Sequence, residues 1–307
     1  MHVVVPVALI AFIVSTVGAG DVLARLGAAD PVWILAAIGA ATAQMFLSSL
    51  RWRLTAARLG AGLRYRDAVS EYYLSSIINS TVPGAVVGDA LRVVRTRAAA
   101  GLERAAQAVI IERLAGQVAL GATLIAGLAL SGHAVLEGSA AVAAAIVLAV
   151  LGLLFVLRGG IASRLMPAVG QRFLMAIRLS WFGRSTALFQ IVLSLLVVAA
   201  NLAGFVFAAR ATGAIIGFPE ILYAVPLILA AMLIPFSVAG WGYREGAAAA
   251  VFPWIGASAA AGVSASVLYG AVILVASLPG VLVLFAGDRG LSFGPSQSSH
   301  ARVDPAE

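Results

Sequence analysis

Residues 191–209 read IVLSLLVVAANLAGFVFAA, a run without one charged side chain. An α-helix needs about 20 predominantly apolar residues to cross the hydrocarbon core of a bilayer, so this run is long enough to span. Neither it nor Ala140–Leu157 alternates polar with apolar positions, as the roughly 10-residue strands of a membrane barrel would. A spanning segment must satisfy its own backbone polar groups, and outside a closed barrel only a helix does so.

The rest of the chain carries the same signature. Of its 307 residues 62% are hydrophobic and 11% charged, with a mean hydropathy of +1.04; a soluble domain has about 45–50% apolar and about 25% charged residues. Apolar runs of spanning length fall at 3–19, 31–50, 106–130, 138–157, 187–209 and 260–286, and two less regular regions at 68–91 and 219–256. The fold class expected is therefore all-α, a polytopic bundle of six full spans. No arginine or lysine precedes the first apolar run, so it reads as a retained helix rather than a cleaved signal. The membrane domain takes in residues 1–286, and the Ser-, Pro- and Gly-rich tail 287–307 reads as disordered.

Arginine placement orients the bundle, because short cytoplasmic loops collect positive charge. Arg51, Arg53, Arg58, Arg64 and Arg66 follow the second span. Arg92, Arg95, Arg97 and Arg104 precede the third, and Arg158, Arg164, Arg172, Arg178 and Arg184 precede the fifth. All three groups are expected in the cytoplasm with both termini, while the loops Asp21–Asp30, His133–Glu137 and Arg210–Glu220 lie opposite. Region 68–91 is then flanked by cytoplasmic arginines at both ends, and region 219–256 must return to the opposite side. Both read as re-entrant hairpins pointing at each other, the arrangement of an inverted repeat with a midplane substrate site.

The chemistry-bearing residues sit in or beside these hairpins. The first contains Asn79, Pro83 and Gly84, then Gly88, Asp89 and Arg92; the second contains Pro235, Ser237, Gly240 and Gly242, then Arg244 and Glu245. In each, Pro and Gly break the helix, freeing backbone groups that only protein or a wet cavity can satisfy at membrane depth. Asp89 and Arg92 stand at i,i+3 and share a helix face. Glu112 and Arg113 lie inside an apolar helix, where each ionised group costs at least about 2.5–3.5 kcal/mol. Being adjacent, they point apart and need different partners: Arg92 or Arg244 for Glu112, Asp89 or Glu245 for Arg113. The cytoplasmic arginines, Arg51 among them, are explained by topology, and Trp52, Trp181, Tyr72 and Tyr73 by anchoring at the membrane interface.

All 20 basic residues are arginine, so guanidinium is the sole cationic side chain for phosphate. With no cysteine and three scattered histidines, no metal site is expected. Nor does any motif point to a nucleotide, a cofactor or a nucleic-acid partner.

The ordered set Arg51-Trp52, Asn79…Pro83-Gly84…Gly88-Asp89…Arg92, Glu112-Arg113 and Pro235-x-Ser237…Gly240-x-Gly242-x-Arg244-Glu245 resembles the lysylphosphatidylglycerol synthase transmembrane region, also described as a flippase-like family. The resemblance runs from about Trp33 to Phe285. It departs at Ala85-Val86-Val87, where many relatives have two glycines. In the longest members this region precedes an aminoacyl-transferase domain that these 307 residues do not contain, so lipid aminoacylation is not carried over. What the resemblance implies is movement of a membrane lipid between leaflets of the inner (plasma) membrane.

Three readings follow. In the first, an anionic or phosphate-containing lipid, a phospholipid or a polyprenyl phosphate, passes between leaflets. Its phosphate binds Arg92, Arg113 and Arg244, which Asp89, Glu112 and Glu245 orient; Asn79 and Ser237 complete the substrate-binding set. In the second, a membrane enzyme modifies a lipid or lipid-linked glycan with Asp89 or Glu112 as base. It ranks lower because no catalytic motif is present. In the third, the chain is an accessory subunit of a lipid-modifying enzyme.

Overall fold

The computed structural model describes residues 16–82, 86–131, 167–183, 186–233 and 240–285. The expected span 138–157, most of the expected span 3–19, the tail 287–307, and Pro83, Gly84, Pro235 and Ser237 lie outside the described residues.

Asp30 starts the first long helix. Its Oδ1 accepts the Val32 amide at 2.8 Å, and Pro31 at the first helical position has no amide to orphan. Helix α2 (Pro31–Arg58) follows from this cap. Before it lies α1 (Ala19–Gly27), which corrects the expectation of a simple loop over Asp21–Asp30: the nine residues bury Val22 and coil because Asp21 and Arg25 complement the helix dipole at its two ends. The remaining helices are α3 (Tyr65–Thr81), α4 (Val87–Ala100), α5 (Leu102–Ser131), α6 (Ala168–Trp181), α7 (Ala187–Ala211), α8 (Phe218–Ala230), α9 (Tyr243–Val251), α10 (Ala259–Ser277) and α11 (Pro279–Phe285). Short 3₁₀ turns follow each helix of the α8–α9 pair, Ala231–Leu233 after α8 and Phe252–Ile255 after α9. No strand occurs among the described residues.

Four of these segments are long and apolar enough to span a membrane: α2, α5, α7, and α10 continued through α11. They match the expected spans 31–50, 106–130, 187–209 and 260–286. Their outward faces carry bare hydrocarbon, as with Leu188, Ile191 and Leu195 along α7, and this suits a lipid solvent. With lipid as apolar as leucine, helices associate through close packing of small residues and polar contacts. Accordingly α2 and α7 lie against each other with Ala37 and Ala41 buried on one and Ala208 and Ala209 on the other. Phe205 of α7 sits edge-on to both Phe252 and Tyr269, the centre of the largest apolar cluster.

The two irregular regions each resolve into a pair of short helices. Region 68–91 becomes α3 and α4, packed on each other, and Gly88 sets how closely they approach: a Cβ there would collide with the Ser75 carbonyl. Region 219–256 becomes α8 and α9. Helix α5 touches both pairs, α4 along one part of its length and α8 along another.

Candidate functional site

Asp89, in the first turn of α4, gathers donors from three helices. The Ser75 hydroxyl of α3 donates to its Oδ1 at 3.0 Å. Arg92 Nη2, one turn on, donates to the same oxygen at 3.2 Å, and Arg113 Nη2 of α5 lies 2.8 Å from Oδ2. Across the break between α3 and α4, the Gly88 amide donates to Asn79 Oδ1 at 2.8 Å. The amide and carboxylate at this break thus close the hairpin that the missing helical bonds leave open.

Glu112 is the second acceptor. Its Oε1 takes a 2.7 Å bond from Arg51 Nη2, and its Oε2 lies 3.6 Å from Arg92 Nη2. Arg51 Nη1 also donates to the Ser194 hydroxyl of α7 at 3.3 Å. The adjacent Glu112 and Arg113 do turn to different partners, as helical geometry requires, and both use partners from the expected pairs. The closest partner of Glu112, however, was not among them. Arg51 is no marker of topology alone: it is 3% exposed and joins α2, α5 and α7 at their common core. Trp52 and Tyr72, expected as interfacial anchors, are buried as well. They sandwich Arg92, whose guanidinium carbon stands 4.5 Å from one ring centroid and 4.9 Å from the other. Tyr73 is also buried, edge-on to Phe46.

Three guanidiniums, those of Arg51, Arg92 and Arg113, therefore meet two carboxylates, which leaves the network one positive charge in excess among the described residues. The neighbouring pair of Glu71 and Arg95, with bonds of 2.9 and 3.0 Å, is neutral in sum. Hydrogen-bonding capacity is unfilled too. Arg51 Nε, Arg92 Nε and Nη1, Asn79 Nδ2 and Glu112 Oε2 are buried atoms with no hydrogen-bond partner among the described residues. Buried polar groups are normally satisfied, so a group of orphans in one place calls for a ligand or water. Arg113 is the outermost of the three guanidiniums: its side chain is 47% exposed, and it stands roughly 16 Å along the axis of α5 from Leu102.

Arg244 and Glu245 form a separate cluster. Glu245 Oε2 accepts the Gly242 amide at 2.6 Å, and Oε1 accepts Arg244 Nη2 at 2.7 Å and the Ser266 hydroxyl at 2.9 Å. Gly242 has φ +87°, which suits glycine, and its amide caps α9 through Glu245. Trp241 and Tyr269 lie 5.2 and 5.5 Å from the Arg244 guanidinium, and the Tyr269 hydroxyl donates to Asn201 at 3.2 Å. No ion pair joins this cluster to that of Asp89 and Glu112 among the described residues. Among the described residues the bonds group the expected site residues into two networks, with Asn79, Asp89, Arg92, Glu112 and Arg113 in one and Gly242, Arg244 and Glu245 in the other. Arg51, Trp52, Tyr72, Ser75, Ser194 and Ser266 were missed. A signal existed for those on α2: Met45, Ser48, Ser49, Trp52, Thr55 and Ala56 continue its buried stripe at helical spacing, and Arg51 borders that stripe.

With the geometry in hand, the family model described as the Lysylphosphatidylglycerol synthase TM region matches residues 2–280. The chain belongs to this family. No curated protein matches it. The match to the Lysylphosphatidylglycerol synthase TM region takes in every described helix except most of α11, and so contains both polar clusters whole.

Proposed function

We propose that the chain translocates an anionic or phosphate-containing lipid between membrane leaflets, its headgroup resting among Arg51, Arg92 and Arg113 while its hydrocarbon stays in the bilayer. The observation that carries this reading is Arg92. It is 1% exposed, clasped between two aromatic rings, and has two N–H-bearing nitrogens with no acceptor among the described residues, in a cluster one positive charge in excess. A phosphate oxygen supplies both the missing acceptor and the missing negative charge. Arg113, half-exposed on a spanning helix, is the point of entry.

In this reading α3–α4 and α8–α9 are the opposed re-entrant hairpins of an inverted repeat within six full spans, and both termini are cytoplasmic. Exchange of partners is the step that moves the headgroup: phosphate displaces Asp89 from Arg92 and Arg113, and Glu112 holds Arg51 in place meanwhile. The lipid retained through purification, identified by mass spectrometry, tests this. The wild type should retain an anionic lipid that Arg92→Gln loses. Equal retention by both would take Arg92 out of the binding site.

A further inference from the structure

At the far end of the α2–α7 pair, away from Arg51, a cavity of about 590 Å³ opens between α1, the start of α2 and the end of α7. It is lined by two cations, Arg25 and Arg210, and two anions, Asp21 and Asp30. None of these four is in an ion pair among the described residues. Each cation is instead placed by an uncharged contact. Arg25 Nη1 donates to the Thr212 carbonyl at 3.3 Å, and the Arg210 guanidinium stands 5.0 Å from the Trp33 ring centroid. The wall between them is pinned by the Asp30 amide, which donates to the Ala211 carbonyl at 3.0 Å.

Opposite charges that share an open cavity without pairing are suited to a guest that carries both signs. Guanidiniums take phosphate oxygens through paired N–H donors, and carboxylates take an ammonium. The exposed apolar side chains of Val32 and Leu35 on α2, and of Ile215 and Phe218 after α7, leave hydrocarbon beside the chain segments that form the cavity, where acyl chains would lie. Its level in the membrane follows from helix geometry. Arg51 stands 20 residues after Pro31 on α2, which at 1.5 Å per residue is about 30 Å, the thickness of the hydrocarbon core.

We propose that this cavity is a second headgroup station on the opposite membrane face, taking a zwitterionic lipid head in which a phosphodiester bears an ammonium group. It rests on the translocation reading only for its purpose; its occupancy stands or falls separately.

The test uses the full chain in lipid nanodiscs with lipids photoactivatable near the glycerol end of one acyl chain, one set phosphatidylethanolamine and the other phosphatidylglycerol. Phosphatidylethanolamine should label peptides covering 21–35 and 210–218. Labelling should fall at least about tenfold in Arg25→Gln/Arg210→Gln, since the loss of even one good charge-assisted contact is worth that much. Asp21→Asn should weaken labelling by phosphatidylethanolamine and leave that by phosphatidylglycerol unchanged. Labelling that ignores these substitutions, or that is equal for the two lipids in the wild type, would overturn the station. Absence of leaflet exchange with labelling intact would instead remove the transport reading and leave the station standing.

Discussion

The guanidinium of Arg92 lies 4.5 Å from the centroid of the Trp52 ring, and Trp52 itself is 1% exposed. The ring faces, Asp89 and Glu112 stand in for water around this buried guanidinium. A desolvated cation–π contact contributes about 2 kcal/mol. Trp52→Leu should therefore slow lipid exchange in proteoliposomes roughly 10- to 30-fold, with Trp52→Phe in between. Equal rates for the wild type and both variants would mean that Arg92 needs no aromatic support.

Arg51 and Glu112 form a buried pair at 2.7 Å, with exposures of 3% and 1%. Arg51→Gln leaves Glu112 with only the 3.6 Å approach of Arg92, and stranding a buried charge costs about 3–5 kcal/mol. The double substitution Arg51→Gln/Glu112→Gln should recover most of that loss, because neither charge is then stranded. Thermal unfolding of the four proteins in detergent measures the coupling; additive losses would show that the pair is not energetically linked.

Glu245 holds the Gly242 amide, Arg244 and Ser266 at once. Glu245→Gln should destabilise the fold by about 3–5 kcal/mol, since its one remaining acceptor oxygen cannot hold both the Gly242 amide and Arg244, and the Arg244 charge is stranded. Arg244 and Glu245 thus act first on the shape of the second hairpin. A Glu245→Gln protein as heat-stable as the wild type would contradict that role.

At Gly88 a β-carbon would run into the Ser75 carbonyl. Gly88→Ala must push α4 off α3, an overpacking defect of about 1–3 kcal/mol. The separation also breaks the bond from the Gly88 amide to Asn79. Faster limited proteolysis around residues 82–86 is the expected readout, and an unchanged digestion pattern would show that the hairpin has room to spare.

Much of this was legible in the sequence because lipid imposes simple rules. Runs such as 187–209 can only be helices, and the breaks marked by Gly88 and Gly242 separate or cap short helices as Pro and Gly demand. Helical spacing likewise announced that Asp89 and Arg92 would meet and that Glu112 and Arg113 would part. What stayed hidden depended on rotation about a helix axis. Arg51 and Arg53 are two residues apart and look alike in sequence. The first turns inward to Glu112, while the second reaches the Leu63 carbonyl after the end of α2. Positive-charge counting treats them identically. The bond from Arg244 to Ser266 was equally invisible: it depends on which face α9 offers to α10, and no local pattern encodes that.

Leaflet exchange of a fluorescent phosphatidylglycerol in proteoliposomes, compared between the wild type and Arg92→Gln at equal content of folded protein, bears most directly on the central claim. Loss of the charge that the cluster holds in excess should lower the exchange rate at least about tenfold, with the protein still monodisperse. An Arg92→Gln protein that exchanges the lipid as fast as the wild type would contradict it.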